Sequence, residues 1–137
     1  MELDVIQNKI FEIRGFKVML DFDLALLYNI ENKRLKEAVR RNINRFPNDF
    51  MFELVEIEFN SLRTQIATSS RGGLRYMPFA FTEQGIAMLS SVLKSKKAIH
   101  MNITIMRAFV MMRQFALTYH ELSEKLLELE NKSYLKT

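Results

Sequence analysis

Apolar and charged residues alternate near the start of the chain, over FEIRGF (11–16). Alternation with a period of two is typical of a β-strand with one buried face. We therefore predict two short strands joined by a turn near Arg14 and Gly15. FMFEL (50–54) alternates in a similar way and predicts a further strand, and the apolar residues over 74–79 predict another.

The spacing of apolar residues changes after Asp21 to three and four, which predicts two consecutive helices. The first is expected over 21–28, with Asp21 as its N-cap and Asp23 in its first turn. The two aspartates could instead form a D-x-D metal site, although capping is the more common role of such residues. The second helix is expected over 32–42, with its inward-facing residues at Leu35, Ala38 and Val39.

Further helices are predicted in the rest of the chain. A short acidic helix is expected over 55–62, and Thr82 caps a helix that carries Ile86 and Leu89. Ser95 caps the last helix, which contains neither Gly nor Pro and is expected to be about 35 to 40 residues long. Together the elements predict an α+β fold, with a small antiparallel sheet, helix-turn-helix-like helices and a long C-terminal helix.

The last helix carries a regular apolar seam. Its residues recur at alternating spacings of four and three over more than four heptads: Met101, Ile105, Ala108, Met112, Phe115, Tyr119, Leu122, Leu126 and Leu129. A second apolar face predicts that the helix is buried on two sides up to about residue 117; it comprises Ile99, Ile103, Met106, Phe109 and Val110. Between Tyr119 and Leu129 only the seam and Leu127 are apolar, which is typical of a coiled-coil helix.

Positive charge is concentrated on the second of the two early helices. The chain has 20 basic and 16 acidic residues, but residues 31–45 alone contain six basic and two acidic ones. Residues 46–66, in contrast, carry four acidic residues and one Arg. A cluster of one sign on one element is typical of a surface that binds a polyanion, although such a cluster is also often a solvated face.

The order of residues over 23–42 is similar to that of a helix-turn-helix. Leu24 and Ala25 supply the pair in the first helix, Asn29 falls at the corner, and Ile30 follows it. Ala is small where the second helix crosses close above it, and Asn tolerates the positive φ that a corner residue often requires. Such a pair leaves one face of the second helix free for the major groove of DNA.

Several classes of site are excluded or disfavoured. The chain contains no Cys, which excludes disulfides, thiolate metal sites and Cys nucleophiles. Its two His residues, His100 and His120, lack an acidic ligand pattern, so we expect no metal and no cofactor. The sequence shows no nucleophile–base pair and no nuclease-like carboxylate cluster, so we expect no enzyme. No apolar run approaches the roughly 18 residues of a membrane span, so we expect a cytoplasmic protein.

Two longer stretches resemble a known family. NINRFPNDFMFEL (42–54) and AFTEQGIAMLSSVL (80–93) are similar to the ORF6N (ORF-six N-terminal) domain family of phage and prophage proteins, itself similar to the KilA-N and Bro-N domains. The resemblance extends over about residues 11 to 115. It implies a DNA-binding transcriptional regulator or antirepressor of phage type, with a coiled-coil continuation after His120.

The resemblance places DNA contacts on the basic second helix. We expect this helix to bind DNA through exposed side chains, with Asn32 at a base edge near its N-terminus: Asn32, Lys33, Arg34, Lys36, Arg40 and Arg41. In an exposed loop over 69–73 and just after it, Arg71 and Arg75 are expected to add phosphate contacts; a hairpin turn with solvated arginines is the alternative. Asn29 stands where relatives often have Gly, and Arg71 where many have an aromatic residue.

The tail predicts a second unit and a homodimer. We expect a DNA-binding domain over 1–118 and a coiled-coil-like extension over 119–137, which could be the start of more chain. The pattern leaves open whether the dimer is parallel or antiparallel; its residues are Met112, Phe115, Tyr119, Leu122, Leu126 and Leu129. Double-stranded DNA is the expected partner, and its target sequence cannot be inferred. The alternative is an antirepressor that binds a repressor protein, or an oligomerisation module, through the C-terminal helix.

Overall fold

The computed structural model describes residues 3–65 and 76–135. The helices within them are α1 (Leu3–Gln7), α2 (Asp21–Tyr28), α3 (Asn32–Arg41), α4 (Glu56–Leu62), α5 (Glu83–Leu93) and α6 (Lys96–Leu135). The strands are β1 (Phe11–Ile13), β2 (Phe16–Leu20), β3 (Met51–Glu53) and β4 (Phe79–Thr82), and a 3₁₀ turn spans Ile43–Arg45. The predicted α+β fold, with a small antiparallel sheet and a long C-terminal helix, is confirmed.

The strands form one antiparallel sheet in the order β1-β2-β4-β3. β1 and β2 are joined by a two-residue turn at Arg14 and Gly15, whose φ angles are 56° and 81°. Two consecutive residues with positive φ are typical of a type I′ turn, whose twist matches that of the flanking strands. The predicted hairpin is therefore confirmed.

The strand predicted over 74–79 is displaced along the chain. β4 begins at Phe79 and continues to Thr82, whereas residues 76–78 are not in a strand. Residues 74 and 75 lie outside the described residues. Pro78 explains the displacement, since Pro has no N–H to donate to a strand ladder and pairing in the sheet begins after it.

Both faces of the sheet are buried. Met19, Met51 and Phe81 point from one face into the larger core, to which α1, α2, α3, α5 and α6 all contribute side chains. The opposite face is covered by α4, which buries Phe59 and Leu62 against it. The two consecutive helices α2 and α3 therefore pack on the face of the sheet that carries the larger core.

An ion pair attaches the hairpin turn to α4. The Arg14 guanidinium donates to both carboxylate oxygens of Glu58, at 2.7 and 3.0 Å, and lies 4.2 Å from the centre of the Phe52 ring. The hydrogen bond from Arg14 lowers the pKa of the Glu58 carboxyl below its ordinary value. Glu58 also accepts a hydrogen bond from the Val55 N–H at 2.9 Å, which stabilises the first turn of α4.

The start of α5 packs closely against the segment before β3. The Thr82 Oγ1 accepts a hydrogen bond from the Gly85 N–H at 3.3 Å, so the predicted N-cap is confirmed. The same hydroxyl lies 2.7 Å from the Asp49 carbonyl oxygen, to which it donates. A Cβ on residue 85 would lie 1.9 Å from the Phe50 carbonyl oxygen, so only Gly permits this approach.

α6 is 40 residues long, which confirms the predicted length. The Ser95 Oγ accepts a hydrogen bond from the Ala98 N–H at 3.2 Å, so its predicted capping role is also confirmed. The prediction that the first part of α6 is buried on two sides is wrong for most of the second face. Ile99, Ile103 and Val110 are exposed, because the domain covers only the side of the helix that carries Ala98 and Ile105. Phe109 and Met106, which border that side, are buried and half-buried.

A buried polar contact joins α2, α5 and α6. The Tyr28 hydroxyl donates to the Asn102 Oδ1, and the Asn102 Nδ2 donates to the Ile86 carbonyl at 2.8 Å. Burial raises the pKa of Tyr28, so the hydroxyl remains a donor at neutral pH. Because each buried polar group in this contact has a partner, the helices can pack here without an unpaired amide or hydroxyl.

α1 was not predicted, since a five-residue helix is too short to show a helical repeat; it packs on the larger core through the buried Ile6. The predicted capping role of Asp21 is wrong. Asp21 is not the N-cap of α2, because Leu20 occupies that position and Asp21 is the first helical residue. The carboxylate of Asp21 has a different role, which involves α3.

Candidate nucleic-acid interface

The corner between α2 and α3 has the backbone conformation predicted for its corner residue. Asn29 adopts a left-handed conformation, with φ 59° and ψ 48°. The Asn29 N–H donates to the Leu26 carbonyl at 3.2 Å, and the Ile30 N–H donates to the Ala25 carbonyl at 3.0 Å. These two hydrogen bonds form a Schellman motif, which ends α2 and starts the chain toward α3. The prediction that Asn29 takes positive φ at the corner is confirmed.

The inner side of α3 is fixed in the larger core. Leu35 and Val39 are fully buried, Ala38 is buried, and the helix contacts both α2 and α5. Ala25 is also buried, at the place in α2 where the predicted close crossing needs a small residue. The packing leaves one side of α3 facing outward, in a fixed orientation relative to the sheet.

The outward side of α3 carries four exposed basic residues, which we call the basic face: Lys33, Arg34, Arg40 and Arg41. The side is not purely basic, since Glu37 is exposed among them. Glu31 lies 3.9 Å from the Arg34 guanidinium, but both side chains are 77% exposed, so this pair leaves Arg34 free to exchange partners.

Lys36 does not belong to this face, and the expectation that it lies exposed is wrong. Its side chain is only 10% exposed, and its ammonium lies 3.3 Å from the Asp21 carboxylate. The ammonium also donates to the Met77 carbonyl at 3.0 Å. Lys36 faces inward because a fully buried carboxylate needs a cation, and α3 is the neighbouring helix that supplies one.

The Asp21 carboxylate connects three elements. It accepts hydrogen bonds from the Phe79 N–H at 3.0 Å and the Phe22 N–H at 2.7 Å, in addition to its contact with Lys36. Burial raises the pKa of the Asp21 carboxyl, and the Phe79 N–H and the Lys36 ammonium act against this. The ion pair between Asp21 and Lys36 therefore fixes α3 relative to α2 and β4, and leaves little charge exposed to solvent.

Two aromatic rings lie beside α3, and the sequence pattern did not indicate this. The Phe79 ring centre lies 4.9 Å from the Lys36 ammonium and 5.4 Å from the Arg40 guanidinium carbon. Tyr76 is 66% exposed, and its ring centre lies 5.9 Å from the same ammonium. A single aromatic residue outside any periodic pattern gives no sequence signal, so Tyr76 could be found only from the fold.

The other residues predicted to contact DNA are Asn32, Arg71 and Arg75. Asn32 is half-buried, and its Oδ1 is buried without a hydrogen-bond donor among the residues that the structure describes. The loop predicted over 69–73, which contains Arg71, lies outside the described residues, and so does Arg75. The structure thus places Lys33, Arg34, Arg40 and Arg41 together, and separates Lys36 from them.

The residues predicted to dimerise lie on α6. Met112 is half-buried beside the domain, whereas Phe115, Tyr119, Leu122, Leu126 and Leu129 are exposed. In the described part of the chain, no helix is long and apolar enough to cross a membrane. Nor do three or more His, Asp or Glu side chains come together there in a group that could hold a metal ion.

The geometry defines a compact α+β domain that presents a basic helix, and a comparison with known families gives its class. Residues 8–92 match the ORF6N domain family, so the chain belongs to this family. The match includes the hairpin, the α2–α3 pair and almost all of α5, and leaves α6 outside. None of the curated proteins and none of the solved structures matches the chain.

Proposed function

We propose that this ORF6N domain binds double-stranded DNA through the basic face of α3, as part of a phage-type regulatory protein. One observation carries the proposal: four exposed basic side chains occupy the outward side of α3, the second helix of the α2–α3 pair. Membership of the ORF6N family supports the regulatory role.

The geometry of α3 suits a DNA major groove. The groove is about 12 Å wide and accepts one α-helix, provided that the helix projects a free side. In this proposal the ammonium of Lys33 and the guanidinium groups of Arg40 and Arg41 contact phosphates, since all three lie at the edge of a helix whose inner side is buried. Lys36 orients the helix and does not contact DNA.

Glu37 gives the proposal an internal test. Its carboxylate is exposed among the basic residues, where it would repel phosphates. Alternatively, a carboxylate in this position accepts a hydrogen bond from a cytosine amino group and so contributes to sequence preference. Replacement of Glu37 by Gln should therefore strengthen binding to mixed-sequence DNA, and should weaken discrimination between sequences if Glu37 contacts a base.

The test compares two triple variants by fluorescence polarisation with mixed-sequence duplex DNA. The first is Lys33→Ala, Arg40→Ala, Arg41→Ala, on the basic face. The matched control is Lys96→Ala, Lys97→Ala, Arg107→Ala, which removes three exposed charges of the same sign from α6. Thermal unfolding of both proteins checks that the fold is retained.

We expect the first variant to bind roughly tenfold to a hundredfold more weakly than the wild type at low salt, and the control to retain most of the affinity. Equal losses in the two variants would mean that binding depends on net charge alone. Unchanged affinity in the first variant would contradict the proposal. A regulator that acts by binding a repressor protein through α6 would bind this duplex weakly in every form, so the wild-type measurement separates the two hypotheses.

A further inference from the structure

The second half of α6 exposes a row of large apolar side chains. Between 54% and 75% of each is exposed, and we call the five residues the distal seam: Phe115, Tyr119, Leu122, Leu126 and Leu129. The helix continues from Phe115 to Leu135, a length of about 30 Å at 1.5 Å per residue. Most of the stability of a helix in a protein comes from the packing of its apolar face, and contiguous exposed apolar residues mark interaction surfaces.

The distal seam begins where the seam leaves the domain. Ile105 and Ala108 occupy earlier positions of the same repeat and are fully buried in the domain. A seven-residue repeat drifts by about 20° per repeat on a straight α-helix, so by Leu129 the seam has rotated by about 70° from its direction at Ile105. Among residues 113–132 every side chain except Ser123 is exposed, so this part of α6 extends beyond its own domain and another helix can lie alongside the distal seam.

The charges beside the distal seam indicate which helix fits. In the heptad frame of the seam, Phe115, Leu122 and Leu129 occupy d positions, and Tyr119 and Leu126 occupy a positions. Lys125 then falls at a g position and Glu130 at the following e position. In a parallel two-stranded coiled coil, a g residue of one helix lies beside the next e residue of the other.

We propose that the distal seam binds the same segment of a second copy of this chain, in parallel orientation. Each Lys125 then lies beside the Glu130 of the other protomer, so the two-fold axis generates two pairs of opposite charge. In an antiparallel pair, g residues face g residues and e residues face e residues, so the pair between Lys125 and Glu130 is lost. This inference does not depend on DNA binding, since the residues of the distal seam are not on α3.

Sedimentation equilibrium at micromolar protein tests whether the chain associates through this surface. The wild type should sediment at twice the 16.2 kDa of one chain. The variant Leu122→Asp, Leu126→Asp should sediment as a monomer, because two buried charges per helix weaken a coiled coil by roughly a hundredfold or more. The control is Leu117→Asp, Leu127→Asp, which adds the same charges at exposed apolar residues outside the seam and should remain a dimer.

Cross-linking tests the orientation, and it is simple because the chain contains no Cys. Phe115→Cys and Leu129→Cys are made separately and oxidised. Residues at d positions face their own counterparts at every level of a parallel coiled coil, so both variants should form a disulfide dimer. The two positions are about 21 Å apart along the helix, so an antiparallel dimer could bring at most one of them next to its counterpart.

Three results would overturn the proposal. A wild type at 16.2 kDa would exclude self-association and leave the seam to a different protein. A dimer that survives Leu122→Asp, Leu126→Asp would use a different surface. Cross-linking of only one Cys variant, or of neither, would exclude the parallel order.

Discussion

α3 presents one exposed side, whereas the distal half of α6 is exposed nearly all round, and the two helices are held in opposite ways. α3 has only 10 residues, yet its inner side is buried against α2 and α5 and tied by the ion pair between Lys36 and Asp21. The distal half of α6 is about twice as long and carries exposed leucines instead of buried ones. α3, which the fold holds in place, thus exposes charge. The distal half of α6, which the fold does not hold, exposes a row of apolar side chains.

The difference indicates what each surface can do. A short helix cannot be stable alone, so the position of α3 comes from tertiary packing, and a surface in a fixed position can match a rigid ligand such as duplex DNA. The distal half of α6 lacks such support, and we propose that association with a second copy supplies it. Changes that weaken the support of α3, or the partner of α6, should therefore have different consequences.

The largest effect is expected from Lys36→Ala. It leaves the buried Asp21 carboxylate without its cation, and breaking a buried pair in this way costs about 3–5 kcal/mol of unfolding free energy. Urea unfolding should show this loss, whereas Lys33→Ala, on the exposed face of the same helix, should change stability by less than about 0.5 kcal/mol. Adding Asp21→Asn to Lys36→Ala should restore part of the stability, since no buried charge remains.

The pH dependence of this variant follows from the pKa of Asp21. Burial already raises that pKa, and without Lys36 it should rise further. A carboxyl whose folded pKa lies above its unfolded pKa destabilises the fold most when it is ionised in both states. The loss in Lys36→Ala should therefore be greatest above the folded pKa and shrink as the pH falls through it toward the unfolded pKa. A loss that is equal at all pH values, or absent, would contradict the structural role of Lys36.

The next largest effect is expected in the distal half of α6 and is measured by amide hydrogen exchange. In Leu122→Asp, Leu126→Asp, amides beyond Phe115 should exchange roughly a hundredfold faster than in the wild type, because the helix loses its partner. Amides near Ile105 and Phe109 should keep their protection, since the domain buries them. Unchanged protection of the amides beyond Phe115 would show that the distal half of α6 is stable without a partner. This result would contradict the proposed difference between it and α3.

A smaller effect is expected at the corner that positions α3. Asn29→Gly should change the unfolding free energy by less than about 1 kcal/mol, since Gly accepts the left-handed conformation freely. Asn29→Val should lower it by about 1–2 kcal/mol, because a β-branched residue is strained at a φ of 59°. Thermal unfolding of the two variants decides this, and equal stabilities would mean that the corner is not fixed by its backbone conformation.

Much of this organisation follows from local patterns in the sequence. The turn at Arg14 and Gly15, the caps at Thr82 and Ser95, and the left-handed Asn29 depend on neighbouring residues, and all were predicted. The role of Lys36 was not, because its partner Asp21 is fifteen positions away and the contact exists only after α2, α3 and β4 have packed. On the sequence alone, a lysine among arginines and an aspartate before a helix suggest an exposed charge and a cap.

The same distinction applies to the candidate site. The basic character of α3 is visible in the sequence, but the separation of Lys36 from the basic face depends on which side of the helix the core covers. Tyr76 lies beside α3 because β4 is inserted between β2 and β3, a long-range pairing that no local pattern encodes. Sequence patterns therefore predicted the helix that carries the proposed site, and packing determined which of its residues are available.

The proposal that the basic face of α3 binds DNA is tested most directly by the salt dependence of the affinity for DNA. Each phosphate contact contributes about −0.9 to the slope of log K against log salt concentration. Lys33→Ala, Arg40→Ala should therefore flatten the slope by about two units per protomer bound, whereas Lys96→Ala, Lys97→Ala should leave it unchanged. A wild-type slope near zero, or the same slope in both variants, would contradict the proposal that the basic face of α3 binds DNA.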